Sequence, residues 1–397
     1  MTQDLSRRGF FAGSATALSA SRVLGANDRV RLGVIGCGGR GQHLIRMAQK
    51  AGGAEFAAVS DAWDLRRREA CKLIGADLPE YADFRALLDR KDVDAVIVAT
   101  TDHHHAHMTV AACRAGKDVF VEKPMTSLPM QGHDVVKAAR ETNRVVQVGV
   151  QQRSIEPFLE AKKQFVDNGR LGKVHMVRTV WNANRGYLTP VPAGMERKPE
   201  GLDWDAVLGW LPKIPWDPKR YFNRFAYWDF STGGQTGGLF VHMVDVVHWY
   251  LGVTKPLSAV AIGGIYQYND GRDTADNINF ILDYPGGLNV TFEATITDLL
   301  PQESADIVFF GEGGRLNIFR HRARFLPAAG GPPEELKPGP EPPHMGNFLE
   351  CVRSRKTPNA NAVDGHWGSM ACHIGNLAYK EARRVEWDPK WDLPASA

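Results

Sequence analysis

Three side chains have types and placements that suit proton chemistry. Lys123 stands in Glu122-Lys123-Pro124, directly after the apolar run 119–121. A lysine at the end of a buried strand, followed by a proline that stops the strand, points its ammonium past the sheet edge. There it can polarise a carbonyl or hydroxyl, or relay a proton. The plainer reading is an exposed loop lysine. His242 and Asp245 lie in Leu239-Phe240-Val241-His242-Met243-Val244-Asp245-Val246-Val247-His248-Trp249. His242, Asp245 and Trp249, at i, i+3 and i+7, share one face of a helix. Imidazole titrates near neutrality, so His242 suits taking a hydroxyl proton, with Asp245 to orient it from one turn later. The competing reading of His242 is a satisfied core histidine, and that reading is preferred for His248.

The element that positions a reactant for these groups is Arg31-Leu32-Gly33-Val34-Ile35-Gly36-Cys37-Gly38-Gly39-Arg40-Gly41. It reads as a short buried strand turning into a helix through G-x-G-x-x-G. Gly36 allows the tight turn, Gly38 lets backbone approach a pyrophosphate, and Gly41 lets the helix pack close to the sheet. Gly39 and Arg40 complete the turn, whose helix N-terminus would hold the diphosphate. A second apolar strand, 55–60, ends in Asp61, twenty residues after Gly41. That is where a carboxylate accepts hydrogen bonds from an adenosine ribose. The alternative for Asp61 is a helix N-cap. Arg66-Arg67-Arg68 reads as an exposed helix face. Its place near the adenosine end makes NADP the second choice after NAD.

Strand and helix patterns then alternate, with apolar runs at 95–99, 119–121 and 145–148 and helical patterns at 65–73, 108–115 and 132–141. This predicts an α/β fold, a doubly wound parallel sheet with ligands at the carboxyl ends of its strands. One polar strand end is Thr100-Thr101-Asp102-His103-His104-His105-Ala106-His107. Consecutive histidines do not easily face one ion, and no acid or cysteine stands at ligand spacing, so no metal is expected. Gln151, Gln152 and Arg153 offer donors at a domain crossing, either to substrate or to the hinge itself. A helix is expected over 158–166 and strands over 174–181, 257–265, 277–284, 288–295, 305–310 and 315–319. Residues 182–230, rich in aromatics and proline, read as one wall of a cleft. A Pro/Gly-rich connector, 327–343, reads as a surface excursion, and helices over 345–353 and 365–384 close the chain.

At 397 residues the chain is long enough for two domains. Its net charge of +3 is too small to imply a nucleic-acid partner. Five scattered cysteines read as small buried hydrophobes. Ser6-Arg7-Arg8-Gly9-Phe10-Phe11, followed by a small-residue apolar run, resembles a twin-arginine export signal. No stretch beyond it is long enough to span a bilayer.

The glycine turn, Asp61, His105 eleven residues before Gly116, and Glu122-Lys123-Pro124 together resemble the Gfo/Idh/MocA oxidoreductase family. The resemblance implies a nicotinamide-binding Rossmann domain (27–150) after a signal segment (1–26). A substrate and oligomerisation α/β domain with an open, mainly antiparallel sheet (151–344) follows. A C-terminal helical segment (345–397) packs back near the first domain. It implies that Gly36, Gly38, Gly39, Arg40, Gly41, Asp61, Thr100, His105 and Glu122 serve the cofactor, and that Lys123 contacts both cofactor and substrate. His242 takes the place of the family's catalytic histidine. Gly238 stands where the family has an aspartate, a gap to be filled by Asp245 from one turn later or by a substrate group. The activity implied is NAD(H)-dependent hydride transfer to or from a sugar, polyol or glycoside carbinol. Two alternatives are redox-neutral glycoside cleavage and a dinucleotide-binding protein without turnover. A homo-oligomer, a periplasmic or extracytoplasmic location and tightly held NAD complete the expectation.

Overall fold

The computed structural model describes residues 29–183, 186, 188–298, 300, 302, 304–340 and 343–394. The export-signal stretch and Tyr187 lie outside them.

Six strands form the first sheet: β1 (Val30–Ile35), β2 (Ala54–Ser60), β3 (Glu80–Tyr81), β4 (Ala95–Val98), β5 (Asp118–Val121) and β6 (Val146–Val148). All pair in parallel, in the order β3-β2-β1-β4-β5-β6. Strands covered on both faces need side chains that are apolar throughout, and Leu32, Val34, Val96, Ile97 and Val98 are fully buried. Burying each such side chain contributes about 1.5–3 kcal/mol. Helices α1 (Gly39–Ala51), α2 (Asp64–Ile74), α3 (Phe84–Leu88), α4 (Asp102–Arg114) and α5 (Gln131–Glu141) make the crossovers. Strand order reverses between β1 and β4, so the ligand crevice lies at their carboxyl ends.

A short helix α6 (Glu156–Ala161) widens into a π-helical turn over Lys162–Asp167, where a continuous α-helix was expected. The second sheet has nine strands: β7 (Val174–Asn182), β8 (Ser258–Gly264), β9 (Asn277–Tyr284), β10 (Leu288–Thr295), β11 (Ile307–Gly311), β12 (Gly314–Ile318), β13 (Ala323–Pro327), β14 (Glu334–Leu336) and β15 (Val385–Glu386). Their order is β14-β13-β12-β11-β7-β10-β9-β8-β15, antiparallel except for the β7–β10 pair. Between β7 and β8 the chain forms α7 (Trp204–Leu208), α8 (Pro218–Phe222) and α9 (Val241–Leu251). Helix α9 is almost wholly buried, its apolar side packed on Phe280 and Phe292 through Phe240.

Two expectations need correction. The connector 327–343 is not only a surface excursion, because β13 and β14 form a hairpin there. Arg324 pairs with Glu335 and Arg170 with Glu334, so charged pairs hold an edge strand there. The closing segment is not purely helical. Helix α10 (His344–Ser354) covers the first sheet through Met345, Phe348 and Leu349, packed with Leu32, Leu44 and Phe120. Helix α11 (Ala362–Glu381) starts at Asn361, whose side chain caps Val363 and Asp364 while Asp364 answers to the Asn361 N–H, a box contributing about 1 kcal/mol. It then crosses to the second sheet, and β15 pairs with β8.

Candidate active site

The glycine turn is built by close approach. A Cβ at Gly41 would lie 2.0 Å from the Gly36 carbonyl oxygen, so only glycine lets α1 begin this near the end of β1. Nothing lies within 4 Å of where a Cβ would stand at Gly38 or Gly39. No side chain caps α1, which leaves its first N–H groups for an anion. Asp61, at the end of β2, accepts from the Cys37 N–H at 2.7 Å and the Trp63 N–H at 2.9 Å. Burial raises its pKa and those backbone donors oppose the rise. A carboxylate has about four lone-pair sites, so Asp61 keeps acceptors for a diol while bracing the turn. A cleft of about 1280 Å³ runs past Gly36, Gly38, Arg40, Asp61 and Thr100. Open N–H groups, open space over two glycines and a braced carboxylate fit a dinucleotide. All five cysteines are free and buried, Cys37 in the turn itself.

Lys123 reaches the entry to α9, near enough for its charge to act on His242. The Lys123 ammonium donates to the Gly238 carbonyl at 2.5 Å, one turn before His242. Burial lowers the Lys123 pKa to about 8, against the pull of Glu122 and Asp102. Burial, then Lys123, Arg320 and Arg40, holds His242 well below the usual imidazole range. The ring is therefore neutral and able to accept a proton. Its Nδ1 is buried without a partner among the described residues. Arg320 lies over the Trp181 ring at 5.2 Å. The place of the family aspartate is taken by an aromatic ring: a Cβ at Gly238 would stand 3.3 Å from Phe225, itself stacked under Arg224.

Asp245 does not orient His242. It pairs with Arg153 at 2.9 Å, and Arg153 also reaches Asp364 at 3.1 Å. Both members are buried, and burial raises the Asp245 pKa to about 6 despite the guanidinium. The same contacts make Arg153 a brace between α9, α11 and the crossing, as its hinge reading expects. One turn along a helix placed Asp245 near His242 in sequence, but a buried carboxylate is drawn to the nearest guanidinium. Gln151 keeps a buried carbonyl oxygen without a partner among the described residues. Glu122 is buried against Arg40 at 2.7 Å, and His105 bridges Pro124 O at 2.7 Å and Thr100 O at 3.2 Å. Of these, Arg40 and Thr100 line the cleft, with Glu122 and His105 holding them from behind. His248 bonds the Tyr284 hydroxyl at 2.7 Å, as a core histidine does.

Sequence reasoning missed Asp102, buried under Thr232 N–H at 3.0 Å and Arg224 at 3.4 Å. Its position after β4 was the available signal. It named Arg66 only within the arginine triplet and did not single out Tyr221; the two line the same cleft. Nothing local marks that pair, since the partners are far apart in sequence.

The chain belongs to the Gfo/Idh/MocA oxidoreductase family. Residues 30–150 match the family's NAD-binding Rossmann fold and residues 161–393 its C-terminal alpha/beta domain. It is similar to inositol 2-dehydrogenase 2 of Saccharopolyspora erythraea, 37% identical over 185 residues, 46% of this chain and 53% of that protein. It is also similar to an inositol 2-dehydrogenase of Klebsiella pneumoniae, 38% identical over 151 residues, 38% of this chain and 44% of that one. The chain thus spans about half the length of the curated relatives it matches. Among solved structures, a levoglucosan dehydrogenase in complex with NADH and levoglucosan superposes with a TM-score of 0.71 at 16% identity, covering 90% of this chain and 99% of that one. An aldose-aldose oxidoreductase from Caulobacter crescentus, complexed with glycerol, gives 0.69 at 20% identity, covering 90% and 100%. At those identities the likeness is one of fold.

Proposed function

We propose that the protein is an NAD-dependent oxidoreductase acting on a carbinol of a sugar, polyol or glycoside. The observation that carries this is a neutral, buried His242 within the field of the Lys123 ammonium, which is fixed on Gly238 O one turn before it, in a chain whose glycine turn and Asp61 line a cleft. Bound there, nicotinamide would exchange a hydride with the carbinol carbon. His242 accepts the proton of the carbinol oxygen. Lys123 steadies the charge that gathers on that oxygen. Gln151 offers a polar contact for a further hydroxyl. The family relatives named above support the substrate class.

Asp61 favours NAD over NADP, because a second anion on the ribose would meet a buried carboxylate. Export by the twin-arginine route follows from the Ser6-Arg7-Arg8 stretch, and a resident cofactor suits that destination. Val260, Ile262 and Ile281 present aliphatic side chains on the open face of β8 and β9, Ile262 with 71% of its surface exposed. Such a face supports assembly of like copies.

The test is to denature purified protein and identify any released dinucleotide by mass and absorbance, then to screen polyols, sugars and glycosides. Stoichiometric NAD or NADH and a keto product are expected. Aglycone release with an unoxidised sugar would move the chemistry to redox-neutral cleavage. Protein that binds neither NAD nor NADP would overturn the proposal in favour of a binding protein.

A further inference from the structure

Residues 201–230 dock on the first domain at two separated places. The first is the loop after β2. There the Asp203 N–H donates to Ala62 O at 2.9 Å and the Asp64 N–H to Gly201 O at 3.1 Å, an antiparallel bridge centred on Trp63 and Leu202. Trp63 also meets Tyr221 edge-on at 5.9 Å. The second is the start of α4, just beyond β4. Ring nitrogens of His103 and His104 lie 3.1 and 2.8 Å from Val207 O, and the Trp210 indole N–H donates to His103 O at 2.7 Å. Burial holds His103 at about 2 and His104 at about 4, so each ring is neutral and can give its one N–H to that carbonyl. Trp204, Leu208, Leu211 and Phe230 give the segment a small core of its own.

The topology decides what lies beneath. Strands β2 and β4 flank β1 on its two sides. A segment fastened to the loops after both must arch over the carboxyl end of β1, where the glycine turn sits. The lining of the cleft agrees: Gly38 and Asp61 on one wall, Val207, Trp210 and Tyr221 on the other. The approach at the second dock is too close for a side chain. Gly209 has φ +57, and a Cβ there would fall 2.3 Å from the His104 ring. At the ribose end, Tyr221 and Arg66 both line the cleft beside Asp61, and Arg66 lies 5.2 Å from the centre of the Trp63 ring.

We propose that residues 201–230 are the second wall of the dinucleotide site, with Tyr221 and Arg66 seating the adenosine end, and that this wall keeps the cofactor on the protein between turnovers. The histidine run that resembles a metal motif is then the fastening of that wall. The proposal rests on the NAD reading above and goes beyond it, since an open Rossmann crevice would bind NAD and exchange it freely.

The test uses the full chain loaded with labelled NAD, freed of excess by gel filtration and chased with unlabelled NAD. Wild type is expected to hold its label for hours. Trp210→Ala is expected to lose it at least tenfold faster, because it removes a fastening that is half exposed and outside the segment's core. Tyr221→Phe is expected to fall between. Gly209→Ala is a second way to lift the same dock, should Trp210→Ala fold poorly. Unchanged release from Trp210→Ala and Gly209→Ala, with native thermal melting, would overturn the proposal. Wild type that takes up label and exchanges it within seconds would also overturn it, while leaving the NAD reading intact. Wild type that takes up no label and also releases no dinucleotide on denaturation would instead remove the NAD reading, and the cofactor wall with it.

Discussion

The two walls of the cleft are made by different means. The first-domain wall is backbone: glycines at fixed spacing, a helix start and a strand-end carboxylate, all within residues 30–61. The second-domain wall depends on pairings between distant residues: the Val207 carbonyl with the His104 ring, the Trp210 indole with His103 O and, behind them, Asp245 with Arg153. A wall made of local backbone geometry announces itself in sequence, because each residue type is required by its neighbours. A wall made of distant pairings does not. The Asp245–Arg153 pair lies across 92 positions, and each member had a more local explanation available.

The comparison is broken most severely at His242, the one group of the second domain assigned to bond-making. His242→Ala is expected to lower kcat by about 10²–10⁴. Bound dinucleotide should stay near stoichiometric, since the first wall is untouched. Turnover within a few-fold of wild type would remove His242 from the chemistry.

Asp245→Ala tests the buried brace. Removing one partner of a buried ion pair costs about 3–5 kcal/mol, and Asp364 remains to shield Arg153, so about 3 kcal/mol is expected. Urea unfolding measures it. An orienting role for Asp245 would instead leave stability near wild type and show as a drop in kcat.

Gly41→Ala addresses the first wall. The new methyl would press on the Gly36 carbonyl, and overpacking of that kind costs about 1–3 kcal/mol. The loss should appear as weaker dinucleotide binding, about 10–100-fold, with second-domain packing unchanged. Affinity equal to wild type would show that α1 can slide, and that the glycines matter less than their spacing implies.

Acidity gives a gentler probe. The Lys123 pKa is lowered to about 8, chiefly by burial, so the ammonium is complete below that pH and lost above it. If the charge steadies the reacting oxygen, kcat/KM falls as pH rises through about 8, approaching tenfold per unit. Lys123→Arg, whose guanidinium stays charged, should lack that limb whatever its absolute rate. His242 is depressed rather than raised, so no matching loss is expected on the neutral side of the acid range.

How much of this was legible in the sequence follows from the same contrast. The parallel sheet, its crevice and the glycine–aspartate site could be read because apolar runs, turns and the acid fall in register within a short span. The open sheet was legible as strands but not at its edges, where β13, β14 and β15 are short and held by charges. Lys123 was legible as a strand-end residue. That its ammonium would rest on a backbone carbonyl of the second domain was not, because nothing near Gly238 in sequence names its partner.

Gly238 is where the two walls touch, and it gives the smallest and sharpest prediction. Its role toward Lys123 is played by the carbonyl, which any residue has. Its backbone is helical, so a side chain adds no conformational strain, and the ring that a new Cβ would meet, Phe225, is partly exposed and free to give. Gly238→Ala should therefore change stability by less than about 1 kcal/mol and activity by only a few-fold. Gly238→Asp is the informative companion. A carboxylate at that point stands near both Lys123 and His242 and favours their charged forms. The Lys123 limb should move upward from about 8, and a new loss of activity should enter from the acid side as His242 begins to protonate. If Gly238→Asp leaves the pH profile where wild type has it, the carboxylate has turned away from the site. The packing of Phe225, and not the missing charge, would then be what distinguishes this wall from its family pattern.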